Sequence, residues 1–196
     1  MDKCRECRRF GTKLFLKGDR CLSTKCALTR RNYKPGTQGP KSRPSRKSEF
    51  GLQLLEKQKA KAEYGFRERQ FANLFKKATQ AKANTNEELF RLLETRLDNC
   101  VYRLGWAVSR HQARQLVLHR KIKVNDRILN IPSAQVKMGD ILTPVETKNL
   151  SQTKVAVPTW LKLDEKKKQA EVARSPEKDD IETDLDSQLI IEFYSR

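Results

Sequence analysis

The sequence predicts an α+β protein: a metal-stapled N-terminal segment and a helical domain, then a compact helix-helix-strand module inserted before a C-terminal strand region. Three observations predict it. Four of the five cysteines crowd into the first 26 residues, capped apolar stripes at helical spacing follow, and the apolar period changes to two from Ile122 onward. The boundaries they set are 1–31 for the metal head, 32–47 for a basic extended arm, 48–93 for the helical domain, 94–146 for the module and 147–196 for a C-terminal strand region packing back on the helical domain.

Charge narrows the function classes first. The 196 residues carry 42 Lys and Arg against 24 Asp and Glu, a net +18, with only 37% hydrophobic residues. A chain this basic repels itself unless a polyanion neutralises it, so the expected partner is nucleic acid. The excess is concentrated at the front: residues 1–82 hold 23 Lys and Arg against 7 Asp and Glu, whereas residues 166–196 hold 6 against 8. The first 82 residues are therefore expected to carry most of the phosphate contact, and the acidic run Glu177 to Asp186 to turn toward solvent or a basic neighbour. No run of about 18 apolar residues and no apolar signal core at the Cys/Arg-rich N-terminus argue against membrane and secretion. The expected location is the cytoplasm or an organelle matrix.

Cys4, Cys7, Cys21 and Cys26 follow a C-x2-C-x13-C-x4-C pattern. Each close pair can supply two thiolates, and the segment between them is long enough for a hairpin (Lys13 to Leu16, then Lys17-Gly18-Asp19) that brings the pairs together. Four thiolates close a tetrahedral zinc site with no open position, so the role is structural; an iron–sulfur cluster or unligated thiols are the alternatives. Arg5, Arg8, Arg9, Lys13 and Lys25 would offset part of the negative charge of such a centre. Cys100 lies in an apolar helical stripe and reads as a small core residue.

The Pro, Gly, Ser and base-rich stretch Asn32 to Lys47 has too little apolar area to fold alone and is expected to extend along phosphates. Ser48 then N-caps a helix running to Tyr64, stopped by Gly65. In that helix Leu52, Leu55, Lys59 and Ala62 share one side, and Lys57 with Lys61 another. A second helix, about Arg67 to Ala81, places Phe71, Leu74, Phe75 and Ala78 at core spacing and exposes Lys76 and Lys77. Thr85 and Glu88 form a capping box opening a continuous apolar stripe from Leu89 to Leu104, ended by Gly105. Ser109 and Gln112 form another, opening a helix to about His119 with Ala113, Leu116 and Val117 inward and Arg110 and Arg114 outward.

Period-two patterning over Ile122 and Val124, the Asn125-Asp126 turn, Ile128 and Leu129, Val136, the Gly139-Asp140 turn, and Ile141 and Leu142 reads as short strands. Trp160 to Leu163 and Leu189 to Tyr194 are further strand candidates.

The block RLDNCVYRLGWAVSRHQARQLVLH (Arg96 to His119), with IKVN (Ile122 to Asn125) and the Val136 to Asp140 turn, resembles the S-four RNA-binding domain. With the four-cysteine head, KGDRC (Lys17 to Cys21), RRNYKPG, EKQKAKAEYG (Glu56 to Gly65), RERQFANLF (Arg67 to Phe75) and the terminal QLIIEFYSR, the chain is similar to the zinc-binding form of the bacterial-type small-subunit ribosomal S-four family over nearly its whole length. That resemblance implies a primary rRNA-binding protein that nucleates assembly of the small subunit's body domain. It also implies neighbouring ribosomal proteins, including the S-five protein, at an interface linked to translational accuracy. The chain departs from the family pattern in starting at the metal motif without a short leader, in Arg120-Lys121 where Gly-His is usual, in Asp126 where Gly is usual, and in a shortened segment after the module (Glu146 to Pro158) where a helix is expected to be missing.

The mechanism expected is binding without chemistry, reading RNA shape and backbone, because A-form major grooves exclude side chains. The expected contacts are Arg30, Arg31, Lys34, Arg43, Arg46, Lys47, Lys57, Lys61, Arg67, Arg69, Arg96, Arg103, Arg110, Arg114, Lys121 and Lys123. No P-loop and no nucleophile-base pair accompany His111 and His119, and His119 sits where a helix C-terminus favours a cap; no enzyme and no small-molecule substrate are expected. An RNA-modifying accessory protein is one rival. The other is a zinc-containing DNA-binding regulator using the Ser109 to His119 helix for recognition.

Overall fold

The computed structural model describes residues 2–37, 39–41, 46–81, 84–146, 150, 156–164, 166–177, 180–181 and 183–195. They form two compact units, the first of Met1–Phe71 with Asp184–Arg196 and the second of Ala72–Thr183.

The first unit opens with helix α1 (Lys3–Phe10). Asp2 caps it by accepting from the Cys4 N–H at 3.1 Å, and Gly11, at φ +76°, closes it by donating to the Cys7 carbonyl. Single turns α2 (Asp19–Leu22) and α3 (Ala27–Arg30) complete the head. No strand forms over Lys13 to Leu16, unlike the expected hairpin. Phe15 takes φ +49° instead, and the break lets Leu14 and Leu16 both point inward, where they pack with Cys7, Phe10 and Ala62.

The arm is less extended than its composition predicts. The Arg8 guanidinium lies 4.6 Å above the Tyr33 ring, and its nitrogens donate to the carbonyls of Arg31, Tyr33 and Lys34 at 3.1–3.4 Å. A 3-10 turn, η1 (Gly39–Lys41), follows; a Cβ at Gly39 would stand 1.9 Å from the Lys34 carbonyl oxygen, so only glycine fits this fold-back.

Helix α4 (Glu49–Tyr64) has the predicted caps, Ser48 accepting from the Gly51 N–H at 3.2 Å and Gly65 left-handed at φ +70°. Its buried face differs from the predicted one. Gln53, Lys57, Ala60 and Tyr64 turn inward together with Lys59, the one buried member of the expected side, while Leu52 is exposed. The reason is its partner: the last helix of the chain, α9 (Ser187–Tyr194), lies against it. That segment was expected to be a strand. Asp186 instead caps it, accepting from the N–H groups of Gln188 and Leu189, and Phe193 and Tyr194 meet Phe50 and Phe71 at ring distances of 5.7 and 6.2 Å. A cap and a receptive helix surface override β-rich composition here. Helix α5 (Glu68–Gln80) carries the chain onward.

In the second unit the long predicted helix is two: α6 (Thr85–Glu94) and α7 (Leu97–Arg103). Asn84, not Thr85, caps α6, by accepting from the Asn86 N–H. The break falls at Thr95-Arg96, where Arg96 is extended (ψ 138°) and bridges Gln135, and the Thr95 hydroxyl bonds the Arg91 carbonyl and Gln135. Helix α8 (Arg110–Leu118) has a reciprocal cap: Ser109 accepts from the Gln112 N–H at 3.3 Å, and Gln112 accepts from the Val108 N–H at 2.8 Å.

Strands β1 (Ile122–Val124), β2 (Arg127–Ile128), β3 (Ile141–Pro144), β4 (Leu161–Asp164) and β5 (Gln169–Val172) form one antiparallel sheet in the order β2-β1-β3-β5-β4. Ile122, Leu142, Ala170 and Val172 face a core shared with Leu97, Val101, Ala113, Val117 and Trp160. Val136 belongs to that core without being in a strand; its N–H bonds the Thr95 carbonyl. Cys100 is fully buried there, as expected, and burial pushes its thiol well above the ordinary range. The single C-terminal strand region is therefore divided. Residues 161–172 extend the module's sheet, and only 184–196 joins the first unit. Residues 147–149 and 151–155, most of the shortened segment, lie outside the described residues.

Both departures from the family's glycines fall on left-handed backbone: Arg120 at φ +58° and Asp126 at φ +64°. Asn125 pins the second turn, donating to Asp140 at 2.7 Å and accepting from the Ile141 N–H at 2.9 Å. A side chain at such φ costs about 1 kcal/mol relative to glycine. Asp126→Gly is expected to raise the thermal unfolding midpoint by about 2–4 °C, measured by calorimetry; an unchanged or lower midpoint would show that the aspartate is not strained.

Candidate nucleic-acid interface

In the head, Cys4, Cys7, Cys21 and Cys26 line one small cavity together with Leu16 and Ala27. Burial raises the Cys7 and Cys21 thiols, and each is raised further by the other cysteines around it. Cys26 is lowered: burial alone would raise it, but backbone N–H groups of Thr29 and Leu28 and the Thr29 hydroxyl outweigh that. Backbone N–H groups also reach the other two buried sulfurs, from Leu14 to Cys7 and from Lys17 to Cys21 at 3.4 Å. Four soft donors around one cavity, with N–H dipoles aimed at three of them, fit a thiolate-held metal in ligand type and supporting bonds. Among the described residues, however, no group of three or more His, Cys, Asp or Glu stands at metal-holding geometry.

Structure sorts the expected phosphate-binding cations into two sets. Arg30, Arg31, Lys34, Arg46, Lys47, Arg67 and Arg69 are exposed in the first unit. Lys57 is not. It is 5% exposed, its ammonium 2.7 Å from Glu68 and 4.2 Å above the Phe193 ring, because α9 covers its face of α4. Lys61 shares Glu68 at 2.5 Å. Glu68 also accepts from the Tyr194 hydroxyl at 3.3 Å, so one carboxylate ties α4, α5 and α9 together. Lys59, a neighbour of the expected set, is likewise buried on Glu56 and the Asp184 carbonyl. Arg43 lies outside the described residues.

In the second unit, Glu94, 1% exposed, accepts from Arg103 at 2.9 Å through both carboxylate oxygens and from Asn99 at 2.8 Å. Asn99 in turn accepts from Arg110 at 2.9 Å, and the Arg110 guanidinium lies 4.7 Å above the Tyr102 ring. Arg96 is buried on Asp98, which also stands 3.5 Å from Arg114. Arg96 and Arg103 thus neutralise buried carboxylates rather than face a ligand, a departure from the sequence expectation. Lys121 pairs with Glu146 at 2.7 Å, and Lys123 sits half-buried on the sheet face opposite the core. Part of the acidic run also finds a base: Asp180 is held by Arg174 at 2.6 and 2.7 Å.

Sequence reasoning missed two things. It treated Arg8 as charge compensation, whereas Arg8 folds the arm onto the head. It also gave no role to Arg20, which is exposed beside Arg5, Lys25, Arg30 and Arg31. Lysine and arginine carry no sequence mark of whether a carboxylate distant in the chain awaits them, so only the fold separates the sets. No described helix is long and apolar enough to cross a membrane.

A capped helix pair closing on an antiparallel sheet, with arginines anchored on its surface, defines an S4-type RNA-binding module, and the S4 domain family matches residues 95–142. The Ribosomal protein S4/S9 N-terminal domain family matches residues 1–94. Curated relatives extend the match over the full length. The small ribosomal subunit protein uS4 of Dictyoglomus turgidum is 50% identical over 201 residues, covering 98% of this chain and 96% of the relative. Its counterpart in Thermus thermophilus is 48% identical over 202 residues (98% and 96%), and that of Nitrosospira multiformis 46% over 203 (99% and 97%). The chain belongs to the uS4 family of small ribosomal subunit proteins.

The Glu68 cluster generates a pH test. Partial burial alone would raise the Glu68 carboxyl, but hydrogen bonds from Lys57 and Lys61 hold it below its ordinary value of 4.5. A lowered carboxylate stabilises the fold above its unfolded value, and that stabilisation is lost as pH falls through the folded value. Glu68→Gln is therefore expected to lower stability at pH 7 and to flatten its decline below pH 4.5; unfolding midpoints followed from pH 7 downward would contradict this if wild type and variant ran parallel. Lys57→Ala, which leaves Glu68 short of a buried partner, should cost about 1–3 kcal/mol in denaturant unfolding, below the figure for fully buried pairs because Glu68 is half exposed.

Proposed function

We propose that this chain is a structural constituent of the small ribosomal subunit that binds its rRNA directly, helps nucleate assembly of the body domain, and catalyses nothing. The observation that carries the reading is full-length similarity to proteins named small ribosomal subunit protein uS4, joined to a set of exposed cations that the fold leaves outside its internal ion pairs. Arg30, Arg31, Lys34, Arg46, Lys47, Arg67 and Arg69 are that exposed set and lead the proposed contacts; Arg110, Arg114, Lys121 and Lys123, half-buried and the first three already held by Asn99, Asp98 and Glu146, are proposed to flank them. Lys57, Arg96 and Arg103 act by holding the surfaces that present these contacts. Each phosphate neutralised releases counterions, so affinity falls steeply with salt.

The α8 helix offers little to a DNA reader. Gln112 is spent on the Val108 N–H and Arg110 on Asn99 and Tyr102, whereas base readout needs such side chains aimed outward. The likeness to uS4 also supports neighbouring ribosomal proteins, the S-five protein among them, at an interface that supports translational accuracy. The location proposed is the cytoplasmic small subunit. Cys4, Cys7, Cys21 and Cys26 would hold one zinc ion, which when bound supplies a structural cross-link across the head.

Tagged protein in lysate is expected to sediment with small ribosomal subunits, and purified protein to prefer small-subunit rRNA over duplex DNA at matched salt. Preference for DNA, or no rRNA binding in dilute buffer, would overturn the reading. Metal analysis is expected to find zinc bound through the thiols and lost in Cys21→Ser/Cys26→Ser; purified protein that neither contains zinc nor takes up cobalt with thiolate absorption bands would remove the metal while leaving the RNA reading intact.

A further inference from the structure

Adjoining the cysteine cavity, and sharing Cys4, Lys17, Arg20 and Ala27 with it, the head has a second concavity of about 410 Å³. Three separate segments wall it, from Asp2 to Arg8, from Lys17 to Lys25 and from Ala27 to Arg31. Three of its charged groups are already committed. Asp2 caps α1 and pairs with Lys17 at 3.7 Å, and Arg8 is bound to the arm's carbonyls. The other five, Arg5, Arg20, Lys25, Arg30 and Arg31, are exposed, and none makes a side-chain hydrogen bond or ion pair with a described residue. A neighbouring hollow of about 520 Å³ shares Arg20, Lys25 and Arg30 and is also lined by Asp19 and Ser23, so three of the cations face both hollows.

We propose that this hollow is a polyphosphate-type anion site, taking phosphates drawn close together as at a sharp reversal of an RNA backbone, and not the evenly spaced backbone of a straight duplex. It rests on the rRNA reading for its physiological ligand, and adds the site and the backbone shape recognised. Curvature decides the shape. Cations on a flat or convex face meet a duplex edge one phosphate at a time, whereas cations converging from three walls are satisfied together only by phosphates that project into the hollow. Convergence also makes the site costly when empty, since five like charges share one concavity with a single, already paired carboxylate. Because these side chains support no internal bond, replacing them should leave the fold intact.

The test uses the full chain. Affinity is measured at matched salt for a folded small-subunit rRNA fragment and for a straight RNA duplex of equal length, in wild type, in Arg20→Gln/Lys25→Gln, and in Lys166→Gln/Lys167→Gln, which removes the same charge from the exposed β4–β5 turn. The pocket variant is expected to lose about tenfold on the folded fragment and under about threefold on the duplex, with the salt slope on the fragment falling by roughly 0.7 per lost contact. The control should lose similar small factors on both, and thermal midpoints should match wild type. Equal losses on the two RNAs, or a pocket variant no worse than the control, overturn the proposal. Titration with inorganic tripolyphosphate separates it from the rRNA reading: wild type should bind it more tightly than monophosphate, and the pocket variant should not. No tripolyphosphate binding sinks the site even if rRNA is bound; tripolyphosphate binding without rRNA binding sinks the rRNA reading and leaves the site.

Discussion

Glu68 and Glu94 are the carboxylates around which a chain of net +18 gathers most of the cations it turns inward. Each gathers more than one positively charged or proton-donating group: Lys57, Lys61 and Tyr194 on the first, Arg103 and Asn99 on the second, with Arg110 joined through Asn99. A buried cation without such a partner would cost several kcal/mol, so carboxylates decide which lysines and arginines become part of the interior. The cations they leave over form the outward charge proposed to meet the rRNA. Stability and binding are drawn from one pool of basic residues, divided by a few acids.

The division has a topological side. The N-terminal unit is completed by the last helix of the chain: α9 covers Lys57, brings Tyr194 to Glu68 and places Glu192 3.1 Å from Gln53. Residues at opposite ends of the sequence are thus mutually required, while the sheet module between them has its own core. The head is held differently, by a few apolar side chains and by Arg8 gripping three carbonyls of the arm. So small a core leaves room for a metal cross-link to contribute.

Much of this was legible in the sequence. Helix termini were read correctly where capping is local, at Ser48, Gly65, Ser109 and Gln112, because the cap and the residue it satisfies are three or four positions apart. The Asn125-Asp126 hairpin and the Gly139-Asp140 turn were legible for the same reason. What failed depends on distant partners. The apolar stripe from Leu89 to Leu104 gives no sign of the break at Thr95-Arg96, which is made by Gln135 forty residues away. LIIEFY has strand composition but finds α4 as its surface, and Lys57 was expected at phosphate because that surface was unknown. At the candidate site the cysteine clustering and the basic front were visible, whereas the identity of the unspent cations, Arg20 above all, required the three walls of the hollow to be assembled.

The most direct measurement of this sorting is lysine reactivity toward a small acylating reagent, mapped by mass spectrometry in the free chain and in its complex with small-subunit rRNA. Lys25, Lys34 and Lys47 should react readily when free and be protected in the complex, while Lys57 and Lys59 should stay unreactive in both states. Rapid modification of Lys57 in the free protein, with Lys25 and Lys34 indifferent to RNA, would contradict the account.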